Sequence, residues 1–178
     1  MDKVAVVYKS KYGSTERYAR WIVEELNADL YEHSQADLKK LLEYSTIIYG
    51  GGLYAGGIAG VSLITRNYNI LKNKKIIVFT VGLVSTDNKE VFIPVIEKNF
   101  PIKEMRDNIS FFHFRGGIDY KKLGIIHKTM MAMFKIVLSK RDSNELDLEN
   151  KEFLATYGKK IDFSDRNTIK PLIQLFRC

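Results

Sequence analysis

Five short apolar runs, each followed by a polar or amphipathic stretch, set the narrowest limits on what this chain can fold into. Residues 4–8, 29–32, 46–49, 76–81 and 109–114 are strand-length and rich in β-branched and aromatic side chains. The intervening stretches have helical spacing. In 15–26, Tyr18, Ala19, Ile22, Val23 and Leu26 recur at three- and four-residue steps, with Ser14 or Thr15 as the expected N-cap. Residues 37–44, 58–70, 89–100 and 149–161 read as further helices, with Pro94 marking a kink or a first turn. Continuous apolar strands are buried on both faces, and helices between them permit right-handed crossovers. The prediction is an α/β fold: a three-layer α/β/α sandwich around a five-stranded, parallel, doubly wound sheet, with a ligand crevice at its carboxyl edge.

At 178 residues, with 46% hydrophobic and 28% charged side chains, the chain suits one ordered globular domain, not a disordered one. Two pieces exceed the plan. Residues 115–147 form an insert with a helical stretch at 123–138, and 164–178 run on as a tail extension after a domain of 1–163. No repeat or low-complexity segment is found. The net charge of +7 points to an anionic ligand, an anionic lipid surface or nucleic acid. Cys178 is the single cysteine, which excludes a disulfide framework and a thiolate metal site, and no metal is expected. Met1-Asp2-Lys3 leads straight into the first strand with no signal-peptide pattern, and no apolar run reaches the ~18 residues of a spanning helix. The expected location is cytoplasmic. Asn108-Ile109-Ser110 matches a glycosylation acceptor and is read as a chance match.

Three loops fall at the carboxyl ends of the first, third and fourth strands. The first, Ser10-Lys11-Tyr12-Gly13-Ser14-Thr15, precedes a helix, so backbone N–H groups and the positive end of the helix dipole meet three hydroxyls there. It lacks the Gly-Lys-Ser/Thr ending of a Walker loop and the spaced glycines of a dinucleotide loop. Alone it is a helix cap or a phosphate site in equal measure. The second, 50–57, has five glycines in eight residues around Leu53, Tyr54 and Ala55, and can lay its backbone against a flat ring, with Tyr54 to stack on it. The third leaves the strand at Val81 through Gly82, Leu83, Val84 and Ser85 to Thr86, Asp87 and Asn88, and offers small and polar groups to a ring edge.

Together these loops resemble the flavodoxins, in register across roughly residues 3–114. The resemblance implies non-covalent FMN. Phosphate would be held by Ser10, Lys11, Tyr12, Gly13, Ser14 and Thr15, and the ring by Gly51, Gly52, Leu53, Tyr54, Ala55, Gly56, Val81, Gly82, Leu83, Val84 and Ser85. Electron-carrying flavodoxins are usually acidic and often carry an aromatic residue in the fourth-strand loop. This chain is basic, and 82–88 contains none, which leaves one ring face for a substrate or another cover.

The insert is apolar around more than one face: Leu123, Ile125, Ile126, Met130, Met131, Met133, Phe134, Ile136, Val137 and Leu138, flanked by Lys121, Lys122, Lys140 and Arg141. It reads as a helix packed on the sheet, an interfacial helix over 121–141, or a homodimer contact. His127, His113 and His33 read as surface or packing residues, and no catalytic residue is assigned. Phe-His-Phe-Arg-Gly-Gly, Tyr-Lys-Lys and the Met-rich basic helix resemble the flavodoxin-type, menaquinone-dependent protoporphyrinogen IX dehydrogenases, over about 3–163. That resemblance implies oxidation of protoporphyrinogen IX in heme biosynthesis with a quinone acceptor, peripheral to the inner membrane face. Arg115, Tyr120, Lys121 and Lys122 would then meet substrate propionates or lipid headgroups.

Charge supports an enzyme independently. A cation about 10 Å from an anionic reduced flavin contributes about 0.4 kcal/mol at the dielectric of water and roughly 1.7 kcal/mol at an effective constant of 20. A basic surround therefore favours accepting electron pairs from a substrate. The alternatives are a non-catalytic electron-transfer flavodoxin serving a protein partner, an NAD(P)H:quinone reductase, and a phosphoacceptor receiver domain. The last needs acidic residues where Tyr8-Lys9-Ser10 stand. No basic–aromatic motif supports nucleic acid as a partner.

Overall fold

The computed structural model describes residues 3–177 except 88, 143, 145 and 147, and Glu149 by its backbone alone. Five strands, β1 (Val4–Lys9), β2 (Asp29–Glu32), β3 (Thr46–Tyr54), β5 (Lys75–Gly82) and β6 (Ile109–Arg115), form a parallel sheet in the order β2-β1-β3-β5-β6. A two-residue strand, β4 (Gly57–Ile58), is added antiparallel to β3. Chain direction reverses its march across the sheet between β1 and β3, so the crevice of a doubly wound fold opens at their carboxyl ends.

The strands are continuous apolar runs because each buries both of its faces. Val4, Val6, Ile48, Ile77 and Phe79 pack beneath α1 (Ser14–Leu26) through Tyr18, Ala19 and Ile22. Ala5, Val7, Ile47, Tyr49, Ile76 and Val78 face the opposite layer. That layer is α2 (Leu38–Leu42), α3 (Ser62–Thr65), α4 (Tyr68–Leu71), α5 (Ile93–Asn99) and α6 (Lys103–Asn108). The period-two switch of face along each strand accounts for a core on each side.

Several elements differ from the sequence reading. Gly50–Tyr54 are not loop: they continue β3, and the chain turns only at Ala55–Gly56, both at positive φ, as a two-residue hairpin requires. The expected helix at 58–70 is therefore β4 followed by α3 and α4, separated where the Asn67 side chain donates to the Leu63 carbonyl at 2.8 Å. The expected 89–100 helix is a tight turn, Lys89–Phe92, leading into α5 with Pro94 in its first turn and no kink. The expected 149–161 helix, α8 (Leu148–Thr156), stops earlier. Its continuation is β8 (Lys160–Asp162), which pairs antiparallel with β7 (Gly117–Asp119). The insert helix α7 (Ile125–Ser139) starts after an extended Gly124.

The C-terminal segment does more than extend the domain. A turn at Arg166–Ile169 and a helix, α9 (Lys170–Gln174), bury Ile169, Leu172 and Ile173 on the α1 face of the sheet. Arg166 anchors the segment by donating to Glu24 at 2.7 Å and Glu25 at 3.0 Å on α1. Cys178 lies outside the described residues. Among the described residues no helix is long and apolar enough to cross a membrane.

Candidate functional site

The loop from β1 to α1 closes on Gly13, whose φ of 94° is a left-handed conformation that glycine adopts without strain. Gly13, not Ser14 or Thr15, is the N-cap, because its carbonyl accepts the first helical bond from Arg17 N–H at 3.0 Å. Both hydroxyl residues consequently lie inside the first helical turn. Ser10 Oγ accepts from Gly13 N–H at 3.0 Å and Ser14 Oγ from Gly117 N–H at 3.1 Å. Thr15 is 3% exposed, and its hydroxyl carries no hydrogen bond among the described residues. It lines a cavity of about 150 Å³ at the carboxyl edge.

The walls of this cavity come from all three expected loops. Ser10, Tyr12, Ser14 and Thr15 form a polar end; Leu53, Tyr54, Ala55, Val81, Gly82 and Leu83 form an apolar body. The other expected contacts lie elsewhere. Gly13 caps α1, Gly51 sits in the strand interior, and Gly52 lies against the ring of Tyr54. Gly56 forms the hairpin turn, and Ser85 bonds Asp87 in a local turn. Lys11 and Val84 line neighbouring cavities, and Asn88 is outside the described residues.

The roof was not foreseen. Leu123, His127, Met130 and Met131 reach over the cavity from the insert, and α7 does not lie on the sheet as a core helix. His127, Met130 and Met131 share one face of α7, a spacing visible in the sequence that the surrounding apolar residues obscured, and Leu123 joins them from the segment before the helix. The His127 ring stacks on Tyr54 at 5.1 Å between centroids, and Nδ1 lies 2.6 Å from the Tyr12 hydroxyl. One imidazole thus ties the roof to both the phosphate-type loop and the β3–β4 hairpin. Burial and the charge of Lys11 lower its pKa, and burial raises that of Tyr54. Gly116, Gly117 and Ile118 complete the wall.

The remaining candidates separate. Arg115 is tied down, with Nε donating to the Leu83 carbonyl at 3.0 Å, Nη2 to Glu152 at 2.6 Å, and its guanidinium 3.8 Å from the Phe163 ring centre. Arg115 and Tyr120 line a second cavity beside the first, Lys121 is exposed, and Lys122 lines a third. His113 is a packing residue: it stacks on Phe92 at 3.8 Å and bonds Thr80 at 2.7 Å. Burial, with a smaller contribution from Lys89, lowers its pKa from 6.5 to about 4. Between those values the unfolded chain binds a proton that the folded chain refuses. The His113 contribution is therefore complete above pH 6.5 and lost as pH falls toward 4. After allowance for partial exposure, urea melts at about pH 4.5 should show ~2 kcal/mol less stability from this source than at pH 7. His113→Gln should reduce that loss.

A three-loop cavity with hydroxyls at a helix N-terminus, on this strand order, agrees with the comparison to known proteins. Residues 5–145 match the family model described as Flavodoxin domain. The chain belongs to the flavodoxin family. An uncharacterized protein of Methanocaldococcus jannaschii is 30% identical over 114 residues, which is 60% of this chain and 65% of that relative. Among solved structures, the Trp repressor binding protein of Bacillus subtilis is 18% identical with a TM-score of 0.48, covering 64% of this chain and 85% of that one. Oxidised flavodoxin 2 of Bacillus cereus is 18% identical with a TM-score of 0.41, covering 86% and 93%. In this flavodoxin domain α7 roofs the cavity, and β7 of the β7–β8 ribbon forms a side wall.

Proposed function

We propose that this flavodoxin domain is an FMN-dependent oxidoreductase that takes electron pairs from a carboxylate-bearing cyclic substrate, with a porphyrinogen as the lead candidate, and passes them to a quinone. The observation that carries the flavin reading is the polar end of the cavity, where the hydroxyl residues Ser10, Ser14 and Thr15 meet the N-terminus of α1 beside an apolar body. Phosphate supplies acceptor oxygens for the α1 N-terminus and for the Thr15 hydroxyl, which carries no hydrogen bond among the described residues. Ser10, Ser14 and Thr15 would hold the phosphate and Leu53, Tyr54, Val81 and Leu83 would line the ring; the enclosed volume of about 150 Å³ is that of a single ring, so seating FMN would require α7 to move outward. Bound FMN would supply the two-electron chemistry, removing two hydrogens from the donor and delivering two to the quinone as a quinol.

The residues around it set what can enter. Tyr12 and His127, in hydrogen-bond contact, are placed to hold the proton that accompanies each electron pair. The third cavity, about 560 Å³, shares Tyr12, Ser14 and Ile118 with the first and is lined by Lys11, Arg17, Lys122 and Lys160. Arg17 is neutralised by Asp162 at 2.5 Å, and with Asp119 also in the lining the three lysines still leave a positive balance that favours an anionic substrate, as propionates would be. The reading fails if the FMN-loaded protein with a quinone oxidises protoporphyrinogen no faster than free FMN does. Rapid reduction by NAD(P)H alone would favour the NAD(P)H:quinone reductase alternative, and exchange with a protein partner alone would favour the electron carrier.

The outer face of α7 supports a peripheral lipid contact. Ile125 and Ile126 are 85% and 74% exposed, and Met133, Ile136 and Val137 are exposed beside them. Lys121, Lys122, Lys128, Lys135, Lys140 and Arg141 surround this surface, and 125–139 contains no acidic residue. Basic residues near an anionic leaflet contribute about 1 kcal/mol each. Co-sedimentation with vesicles containing phosphatidylserine should exceed that with neutral vesicles, and the pair Ile126→Glu and Ile136→Glu should weaken it at least about tenfold. Equal recovery with both vesicle types would count against this contact.

A further inference from the structure

The geometry points to a second small-molecule site beside the flavin chamber, built to take a neutral, single-ring carbonyl compound of the quinone head-group type. The cavity is about 210 Å³ and lies between the β5 loop, α7, α8 and the β7–β8 ribbon. It shares Leu83, Ile118 and Met131 with the flavin chamber, so an occupant rests on the opposite side of those three side chains.

Size, polarity and charge converge on one ligand class. An apolar cavity of about 150 Å³ holds a benzene ring; this one exceeds that by enough for ring substituents and falls far short of a tetrapyrrole. Val84, Phe134, Phe153, Ile161 and Phe163 supply an apolar wall suited to a flat ring. The charged groups facing the cavity are Arg115 and Glu152, and they pair at 2.6 Å. An anionic ligand would have to compete with Glu152 for the guanidinium, so a neutral ligand is favoured.

Donors for a carbonyl are nonetheless present. Arg115 has five N–H hydrogens; the Leu83 carbonyl and Glu152 are its hydrogen-bond acceptors among the described residues. Tyr120 packs at a tilt against Tyr157, with ring centroids 4.9 Å apart, and its hydroxyl makes no hydrogen bond among the described residues. Burial, with a smaller contribution from Tyr157, pushes its pKa up to about 12, so it stays a donor throughout the neutral range. A neutral ring with carbonyl oxygens satisfies all three features. That the site serves the electron acceptor rests on the flavin reading above; that it binds such a ring rests on the cavity alone.

Tetramethyl-1,4-benzoquinone is a suitable probe, because it lacks an open ring position for addition of the Cys178 thiol. Its binding can be followed by the Met131 methyl resonance in ¹³C-methyl-methionine protein, assigned with Met131→Leu, with and without FMN. A saturable shift is expected, at least tenfold weaker when Phe153→Trp or Thr156→Phe fills the cavity, while FMN affinity stays within twofold. Tyr120→Phe should weaken it about three- to tenfold by removing one donor. Benzoate, of similar size but anionic, should not produce the shift. The proposal is overturned if the probe gives no saturable shift, if the shift survives both filling variants, or if benzoate matches the quinone. Failure of FMN to bind while the quinone shift persists would overturn the flavin reading and leave this site standing.

Discussion

Ser10→Asp should weaken FMN binding by at least about 100-fold while leaving the melting temperature unchanged or slightly raised. Among the described residues Ser10 Oγ has one internal role, accepting the Gly13 N–H at 3.0 Å. A carboxylate oxygen fills that role at least as well, and a negative charge beside the N-terminus of α1 favours the helix. The same charge faces the position assigned to the phosphate. Two unit charges about 4 Å apart repel by about 4 kcal/mol at an effective dielectric constant of 20. Ser10→Ala removes the acceptor without adding charge and should cost only about tenfold. Fluorescence titration of FMN with each variant, beside thermal melts, checks both parts. An unchanged affinity in Ser10→Asp would place the phosphate elsewhere.

The second large effect concerns the fold. Gly50→Ala should destabilise the chain by about 3 kcal/mol, seen as a fall in melting temperature of about 6–12 °C for a domain of this size. Gly50 pairs with Phe79 across β3 and β5, and a Cβ there would lie 2.1 Å from Phe79 Cζ and 2.6 Å from two further ring atoms. The ring has no space to retreat: Phe79 is fully buried and packs on Phe114, which stacks on Tyr18. Phe79→Leu in the same chain should recover at least ~1 kcal/mol relative to the sum of the two single changes, the mark of direct coupling. Additive losses would mean that Gly50 is required for some other reason.

Gly50 also shows where sequence reasoning misjudged a residue that mattered. Glycine density suggested a loop, because nothing local reveals that a phenylalanine on the next strand fills the space over the glycine. The strands themselves were legible, since burial on both faces demands unbroken apolar runs. So was the phosphate-type loop, whose place between β1 and α1 follows from chain order. His127 was visible in principle, standing on one helical face with Met130, Met131 and Phe134, but the apolar residues all around α7 hid which face looked inward. The side wall was not visible. It depends on Ile118 meeting Ile161 in a ribbon between distant segments, and the strand at 160–162 is only three residues long. Tail burial likewise depends on Ile169, Leu172 and Ile173 meeting the distant α1 face of the sheet, with Arg166 pairing to Glu24 and Glu25 at its edge.

The central claim is that the Ser10–Thr15 turn holds the phosphate of a flavin whose ring lies under α7. Parallel titrations of the flavin-free protein with FMN and riboflavin test it most directly, because the two ligands share the ring and differ by the phosphate. Flavin fluorescence should be quenched with both, and FMN should bind at least about 100-fold more tightly, as two or more charge-assisted hydrogen bonds of ~1.5–3 kcal/mol each would give. Equal affinity for the two ligands, or no binding of either, would contradict it.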